Sequence, residues 1–153
     1  MVKENQGAKM KKIKLILVAL VPLVFQACVT NKNLSSDEVL NKAIGGCPNH
    51  QMTLITLPSR GAIADAMAIS AIKAAGNDGG FSEDFSRVIS SEPKNITVYC
   101  SNPQKLEATI SHTFTLYKEN SLKGVSVCIV GMSKNKELTD EARRTGAAIT
   151  FVP

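Results

Sequence analysis

Residues 125–130 have the sequence VSVCIV, an apolar run that contains one Ser and one Cys. A strand with one face in water alternates polar and apolar side chains, and this run does not. The pattern is typical of a strand that is buried on both faces, as in a parallel sheet covered by helices.

Strand-like segments also occur at residues 52–57, 96–100 and 147–152, and helix-like segments lie between them. The clearest helix begins at Pro103, behind a Ser-Asn pair that can cap it. Its apolar residues recur at steps of four, four and three, which is helical spacing. The other predicted helices of this region cover residues 59–75, 81–89 and 137–144.

This alternation of strands and helices predicts a small three-layer α/β domain over residues 51–153. We expect its four-stranded sheet to be mostly parallel, because parallel neighbours need crossover connections, and these place helices on the sheet. By analogy with doubly wound folds, the expected strand order is 2-1-3-4. Residues 28–50 are expected to form a tether and one short helix, which a Ser35/Glu38 capping box begins.

The N-terminal segment has the features of a secretory signal. A lysine-rich stretch at residues 11–14 precedes an apolar run at residues 15–25. A helix of this length spans about 16 Å, roughly half of the 30 Å hydrocarbon core, so the run is too short to cross a membrane. We therefore predict a signal peptide over residues 1–27, with translation starting at Met1 or Met10.

The end of this segment, FQAC at residues 25–28, resembles the lipobox of bacterial lipoproteins, in which a small residue precedes the lipid-bearing Cys. The resemblance covers about residues 10–28. It implies that Cys28 becomes the acylated N-terminus of the mature protein, and that palmitate-like chains hold it in the membrane. Val29 stands where an Asp would favour the inner membrane, which implies an outer-membrane protein facing the periplasm or the exterior.

The positive charge of the chain is concentrated in the predicted leader. The sequence has 18 basic and 13 acidic residues, a formal net charge of +5. Five of the basic residues and one acidic residue lie within residues 1–27, which leaves 13 basic and 12 acidic residues in the remainder. Overall electrostatics therefore gives no support for nucleic-acid binding, and we expect no nucleic-acid partner.

Lipidation of Cys28 would leave Cys47, Cys100 and Cys128 for the exported domain. Cys is among the most buried residue types, so Cys100 and Cys128, both in predicted strands, are expected to pack as small apolar side chains. An exposed Cys47 would then be able to join two protomers. One intramolecular disulfide is the less favoured alternative.

Polar residues follow the predicted strands, at the edge where open parallel sheets bind ligands. The candidates for a ligand site at this edge are Ser59, Arg60, Ser101, Asn102, Ser133 and Lys134. Hydroxyls, an amide and two cations at helix starts are able to accept a phosphate, a carboxylate or a sugar. Ser and Asn are also the commonest helix caps, and capping alone is the favoured interpretation.

The sequence lacks the motifs of common enzymes and cofactor sites. It has no glycine-rich nucleotide fingerprint, no P-loop, no Gly-x-Ser-x-Gly elbow and no Cys-x-x-Cys pair. Neither His50 nor His112 has a metal-ligating residue at a suitable spacing. We expect no cofactor and no metal, and we favour a protein that is not an enzyme.

The predicted alanine-rich helix is apolar nearly all round. Ile63 and Met67 lie on one side, and Ile69 and Ile72 lie nearly opposite, so the helix needs cover on two sides. One interpretation is that residues 81–89 fold back over it. The other is that these four apolar residues contact an envelope protein or a second copy of the chain.

Three classes of function follow from these features. The leading hypothesis is a non-enzymatic lipoprotein of the outer membrane that binds another envelope protein or assembles with itself. The second is a small domain that binds an anion or a sugar phosphate at the carboxyl edge of the sheet. The third is an envelope enzyme that uses the same edge.

Overall fold

The structure is a computed structural model of the chain, and it describes residues 33–48, 52–92 and 94–153. The predicted signal peptide, Cys28 and His50 lie outside the described residues.

One sheet of four parallel strands forms the centre of the domain. Its strands are β1 (Thr53–Leu57), β2 (Asn95–Cys100), β3 (Ser126–Val130) and β4 (Ala148–Val152). The predicted α/β domain with a four-stranded parallel sheet is confirmed. The predicted order 2-1-3-4 is wrong, because the strands follow the chain in the order β1-β2-β3-β4.

This sequential order determines which face the connecting helices occupy. They are α2 (Ala62–Ala75), α3 (Phe81–Ile89), α4 (Pro103–Thr115) and α5 (Lys136–Thr145). Right-handed crossovers that always step in the same direction return on the same face of the sheet. A 2-1-3-4 order would reverse direction once and send helices to both faces.

Helix α1 (Ser36–Gly46) provides the layer on the opposite face, where it packs against β3 and β4. Ser35 caps its N-terminus, and the Ser35 N–H donates to the Glu38 carboxylate at 2.7 Å, which confirms the predicted capping box. The helix is part of one compact unit that spans residues 31–153.

Two apolar clusters correspond to the two faces of the sheet. The larger cluster lies under α3, α4 and α5, with Phe85 and Phe114 fully buried. β3 contributes to both clusters, which confirms that residues 125–130 are covered on both faces. The smaller cluster, under α1, consists of Val39, Ala43, Cys47, Tyr99, Cys128 and Val130.

A disulfide joins Cys47, directly after α1, to Cys128 in β3. The expectation that Cys128 packs only as a small apolar side chain is therefore wrong. Because α1 crosses the face of the sheet to which Cys128 belongs, its end brings Cys47 within bridging distance, with the Cα atoms 5.8 Å apart. Cys100 is buried and has a free thiol, in agreement with its prediction.

Helix α2 stands apart from both clusters. It packs mainly on α4, and only Asp65 and Ile72 of its 14 residues are buried. α3 lies directly on the sheet, against β2 and α4, and does not cover the side of α2 that carries Ile63 and Met67. Residues 81–89, which were one of the two predicted covers of α2, therefore leave the side with Ile63 and Met67 exposed, and Phe81 and Asp84 lie beside its alanine side.

Candidate functional site

The carboxyl ends of β1 and β2 meet at a cluster of hydrogen-bonded polar groups. In the sheet register, Leu57 at the end of β1 lies beside Cys100 at the end of β2. The loops that follow these two strands are therefore neighbours, and they lead directly into α2 and α4. The cluster occupies the space between these loops and the first turns of both helices.

A buried carboxylate forms the centre of this cluster. The side chain of Asp65, in the first turn of α2, is only 1% exposed and accepts four hydrogen bonds. Its Oδ2 accepts from the Ser59 hydroxyl at 2.5 Å and from the Asn102 amide at 3.1 Å. Its Oδ1 accepts from the Arg60 backbone N–H and from Lys105 Nζ, both at 3.2 Å.

These partners keep Asp65 ionised. Burial alone would raise its pKa, but the hydrogen bonds, of which the one from Ser59 is the strongest influence, outweigh burial. Together they lower the pKa of Asp65 from 3.8 to about 2. The pair that it forms with Lys105 is shielded from water, since the Lys105 side chain is only 12% exposed.

Asn102 and Lys105 connect this carboxylate to α4. The Asn102 Oδ1 caps α4 by accepting from the backbone N–H groups of Gln104 and Lys105, while its amide nitrogen donates to Asp65. Lys105 Nζ also donates to the carbonyl of Pro58 at 2.6 Å. The cluster therefore fastens α2 to α4 and to the end of β1.

The groups of this cluster satisfy one another, which is the arrangement of a structural contact and not of a ligand site. An incoming anion would need free donors, but Lys105 and the Ser59 hydroxyl already donate to Asp65. The negative charge of Asp65 would also repel an anion that approached these two donors. Arg60 contributes its backbone N–H, while its guanidinium forms no hydrogen bond or ion pair within the part of the chain that the structure describes.

The structure brings together three of the six candidate ligand residues, namely Ser59, Arg60 and Asn102. Ser101 lies next to them in the chain, but its side chain contributes no hydrogen bond to this cluster. The other two follow β3, where Lys134 lines a separate open cavity of about 800 Å³ with residues of α5. The cap of α5 is Asn135, and neither Ser133 nor Lys134 fills that role.

Asp65 and Lys105, the ion pair of the cluster, were not among the sequence candidates. A signal for Asp65 exists, since it is the single acid in an otherwise apolar, alanine-rich helix. An isolated acid on such a helix needs a buried partner. Lys105 carries a weaker signal, because a cation in the first turn of a helix opposes the helix dipole unless an anionic group offsets it.

Cys100, at the end of β2, is a free cysteine beside this cluster. Its thiol is buried, and burial raises its pKa, which keeps the sulfur protonated. The Asn102 N–H donates to this sulfur at 3.4 Å. Within residues 33–48, 52–92 and 94–153, no group of three or more His, Cys, Asp or Glu side chains is arranged to hold a metal.

The outward side of α2 is the second candidate site. Ile63 is 82% exposed and Met67 is 70% exposed, which makes them the most exposed large apolar residues of the described chain. Ile72, by contrast, is buried and Ile69 is half-buried, so these two do not belong to the exposed surface. Of the four apolar residues that were predicted to contact a partner, only Ile63 and Met67 are therefore exposed.

Comparisons with known proteins reveal no relative. No protein-family model, curated protein or solved structure matches the chain. None of the helices in the described ranges is long and apolar enough to cross a membrane.

Proposed function

We propose that this protein is an exported lipoprotein, anchored in the outer membrane through Cys28, that binds another protein of the cell envelope. It acts as a binding module and not as an enzyme. The observation that carries this proposal is the outward apolar side of α2, where Ile63 and Met67 are exposed.

Two features support export. Disulfides persist in oxidising compartments and are rare in the cytosol, so the bridge between Cys47 and Cys128 fits a protein that folds in the envelope. Export is also predicted by the signal-like residues 11–25 and the lipobox-like residues 25–28. Acylation of Cys28 would then hold the domain at the membrane.

The α2 surface supports protein binding. Full burial of an aliphatic side chain stabilises by about 1.5–3 kcal/mol, so covering Ile63 and Met67 would contribute about 3–6 kcal/mol for each chain that buries them. The freedom lost on association costs about 4–15 kcal/mol, so a stable complex needs further contacts around α2.

The polar cluster at the ends of β1 and β2 does not favour the anion-binding alternative. Asp65 already uses the donors that would bind a phosphate, and it supplies the negative charge itself. The donors of this cluster therefore give no support for an anion site.

Mass spectrometry of the protein extracted from membranes tests the anchor. We expect a mature chain that begins at Cys28 and carries acyl groups, and we expect the Cys28→Ala variant in the soluble fraction. A mature form that retains residues 1–27, or one without acyl groups, would contradict the proposal.

Chemical crosslinking in intact cells tests the binding surface. The double variant Ile63→Ser/Met67→Ser should lose a discrete adduct that the wild-type protein forms with an envelope protein. Leu116→Ser is the matched control, because Leu116 is 57% exposed but lies at the end of α4. Equal loss in both variants, or loss in neither, would count against the α2 surface.

A further inference from the structure

A cleft of about 420 Å³ lies between β1 and α2. Its helix side is formed by Ala64, Ala68 and Ala71, which recur at helical spacing and share one side of α2. Alanine side chains are too short to fill the space to the strand, and the large side chains Ile63 and Met67 lie on the outward side. The cleft therefore follows directly from the unusual distribution of large and small residues on this helix.

The strand side of the cleft is an open sheet edge. β1 pairs with β2 on one side only, and no described residue pairs with its other side. Ile55 and Thr56 both line the cleft, although their side chains belong to opposite faces of the sheet. The cleft thus extends around the edge, where β1 presents unpaired backbone N–H and C=O groups.

We infer that this cleft binds an extended peptide segment of the partner, which adds to β1 as a fifth strand. The inference rests on the proposed role as a binding module and names the site and the type of segment. Backbone donors and acceptors along a strand edge are satisfied as a set only by another strand, which excludes a globular apolar ligand as the best occupant.

The dimensions and charges of the cleft define the segment. Every second side chain of an added strand would enter the space beside Ala64 and Ala68, which accommodates residues of the size of Val or Leu. Arg60 lines the cleft, and its guanidinium has no hydrogen-bond partner among the described residues. We expect the segment to place a carboxylate there.

The acidic residues that line the cleft are already engaged. Asp65 forms its pair with Lys105, and Asp84 forms an ion pair with Arg87 at 2.8 Å. Asp78 accepts from the backbone N–H groups that begin α3. Arg60 is thus the charged group of this cleft that remains available for an opposite charge.

Short random peptides displayed on phage provide the probe. We expect the purified domain to select extended sequences with alternating aliphatic residues and an acidic residue. On binding a selected peptide, the amides of β1 should gain protection from hydrogen exchange. Selection of no peptide above background, or protection confined to other elements, would overturn the inference.

Two variants of one helix provide the matched comparison. Ala68→Phe fills the cleft and should weaken binding of a selected peptide by at least about tenfold, whereas Ala66→Phe, on the exposed side of α2, should change the Kd by less than about twofold. Arg60→Glu alters a surface side chain without filling the cleft, and it should also weaken binding. Equal Kd values for wild type, Ala68→Phe and Arg60→Glu would overturn the inference.

Failure of the cleft inference can be distinguished from failure of the proposed function. If the cell-crosslinking adduct depends on Ile63 and Met67 but no peptide protects β1, the binding module stands and the cleft inference falls. If peptides protect β1 but neither lipidation nor a cellular adduct is found, the cleft is a peptide site and the envelope role falls.

Discussion

Helix α1 lies directly on one face of the sheet, whereas α2 packs on α4, a helix of the other face, and the two helices are attached by different means. α1 is short, buries Val39 and Ala43, and is covalently joined to β3 by the Cys47–Cys128 disulfide. α2 is longer and more apolar, yet it belongs to neither core cluster: it packs on α4, buries only Ile72 and Asp65, and is held by the hydrogen bonds and the ion pair of Asp65. Apolar content therefore does not decide which helix a domain buries, and the apolar side that α2 keeps exposed is available for binding.

Removal of the disulfide that attaches α1 should cause the largest loss in the free energy of unfolding. The double variant Cys47→Ala/Cys128→Ala removes a link between residues 81 positions apart, for which the chain-entropy model predicts a loss of about 4.5 kcal/mol in the free energy of unfolding. Urea unfolding measures it. Reductant should destabilise the wild-type protein and leave the double variant unchanged, and an equal response in both would contradict a structural bridge.

Loss of the buried carboxylate should produce the next largest effect. Asp65→Asn removes the charge that pairs with Lys105 in a shielded site, and breaking such a pair costs about 3 kcal/mol. Chemical denaturation gives the change, and hydrogen exchange should show that α2 opens before the rest of the domain. Asp140→Asn, which disrupts an exposed ion pair on α5, is the control and should have little effect. A uniform loss of protection across all helices would argue against the view that Asp65 mainly attaches α2.

Low pH should weaken the attachment of α2 in the same way as the Asp65→Asn substitution, because it protonates Asp65. The pKa of Asp65 is lowered from 3.8 to about 2, so its contribution to stability is fully present above about pH 4 and is lost as the pH falls toward 2. The expected loss from this group is about 2 kcal/mol. A pH series of unfolding free energies for the wild type and Asp65→Asn isolates it, because the variant lacks this component. Identical pH profiles would show that Asp65 titrates normally.

The outward side of α2 should contribute least to folding. Because Ile63 and Met67 are 82% and 70% exposed, Ile63→Ser and Met67→Ser should each change the free energy of unfolding by less than about 0.5 kcal/mol. Thermal or urea unfolding of the single variants checks this. A substantial loss of stability would mean that these residues serve the fold and not a partner.

The elements of the fold follow from local patterns in the sequence. The capped helix at Pro103–Thr115 and the doubly covered strand at Ser126–Val130 lie close to their predicted positions. The strand order does not follow from such patterns, because periodicity identifies each element but not the direction in which the next crossover steps. The pairing of Cys47 with Cys128 depends in turn on where α1 crosses the sheet.

The candidate site was predictable only in part. Ser59 and Asn102 were expected at the carboxyl edge because that edge follows from the order of strands and helices along the chain. Their actual role depends on Asp65, whose side chain reaches the edge only because α2 leans on α4 and not on the sheet. Packing between elements that are not adjacent in the chain, such as α2 and α4, produces no periodic pattern in the sequence.

The central claim is that the exposed apolar pair Ile63 and Met67 of α2 contacts a partner, whereas the less exposed apolar pair Leu40 and Ile44 of α1 does not. Incorporation of a photo-crosslinking amino acid at Met67 on α2, and separately at Leu40 on α1, tests it in intact cells, since both positions are exposed. We expect a discrete adduct with one envelope protein from position 67 and none from position 40. Adducts from position 40 alone, or from neither position, would contradict the claim.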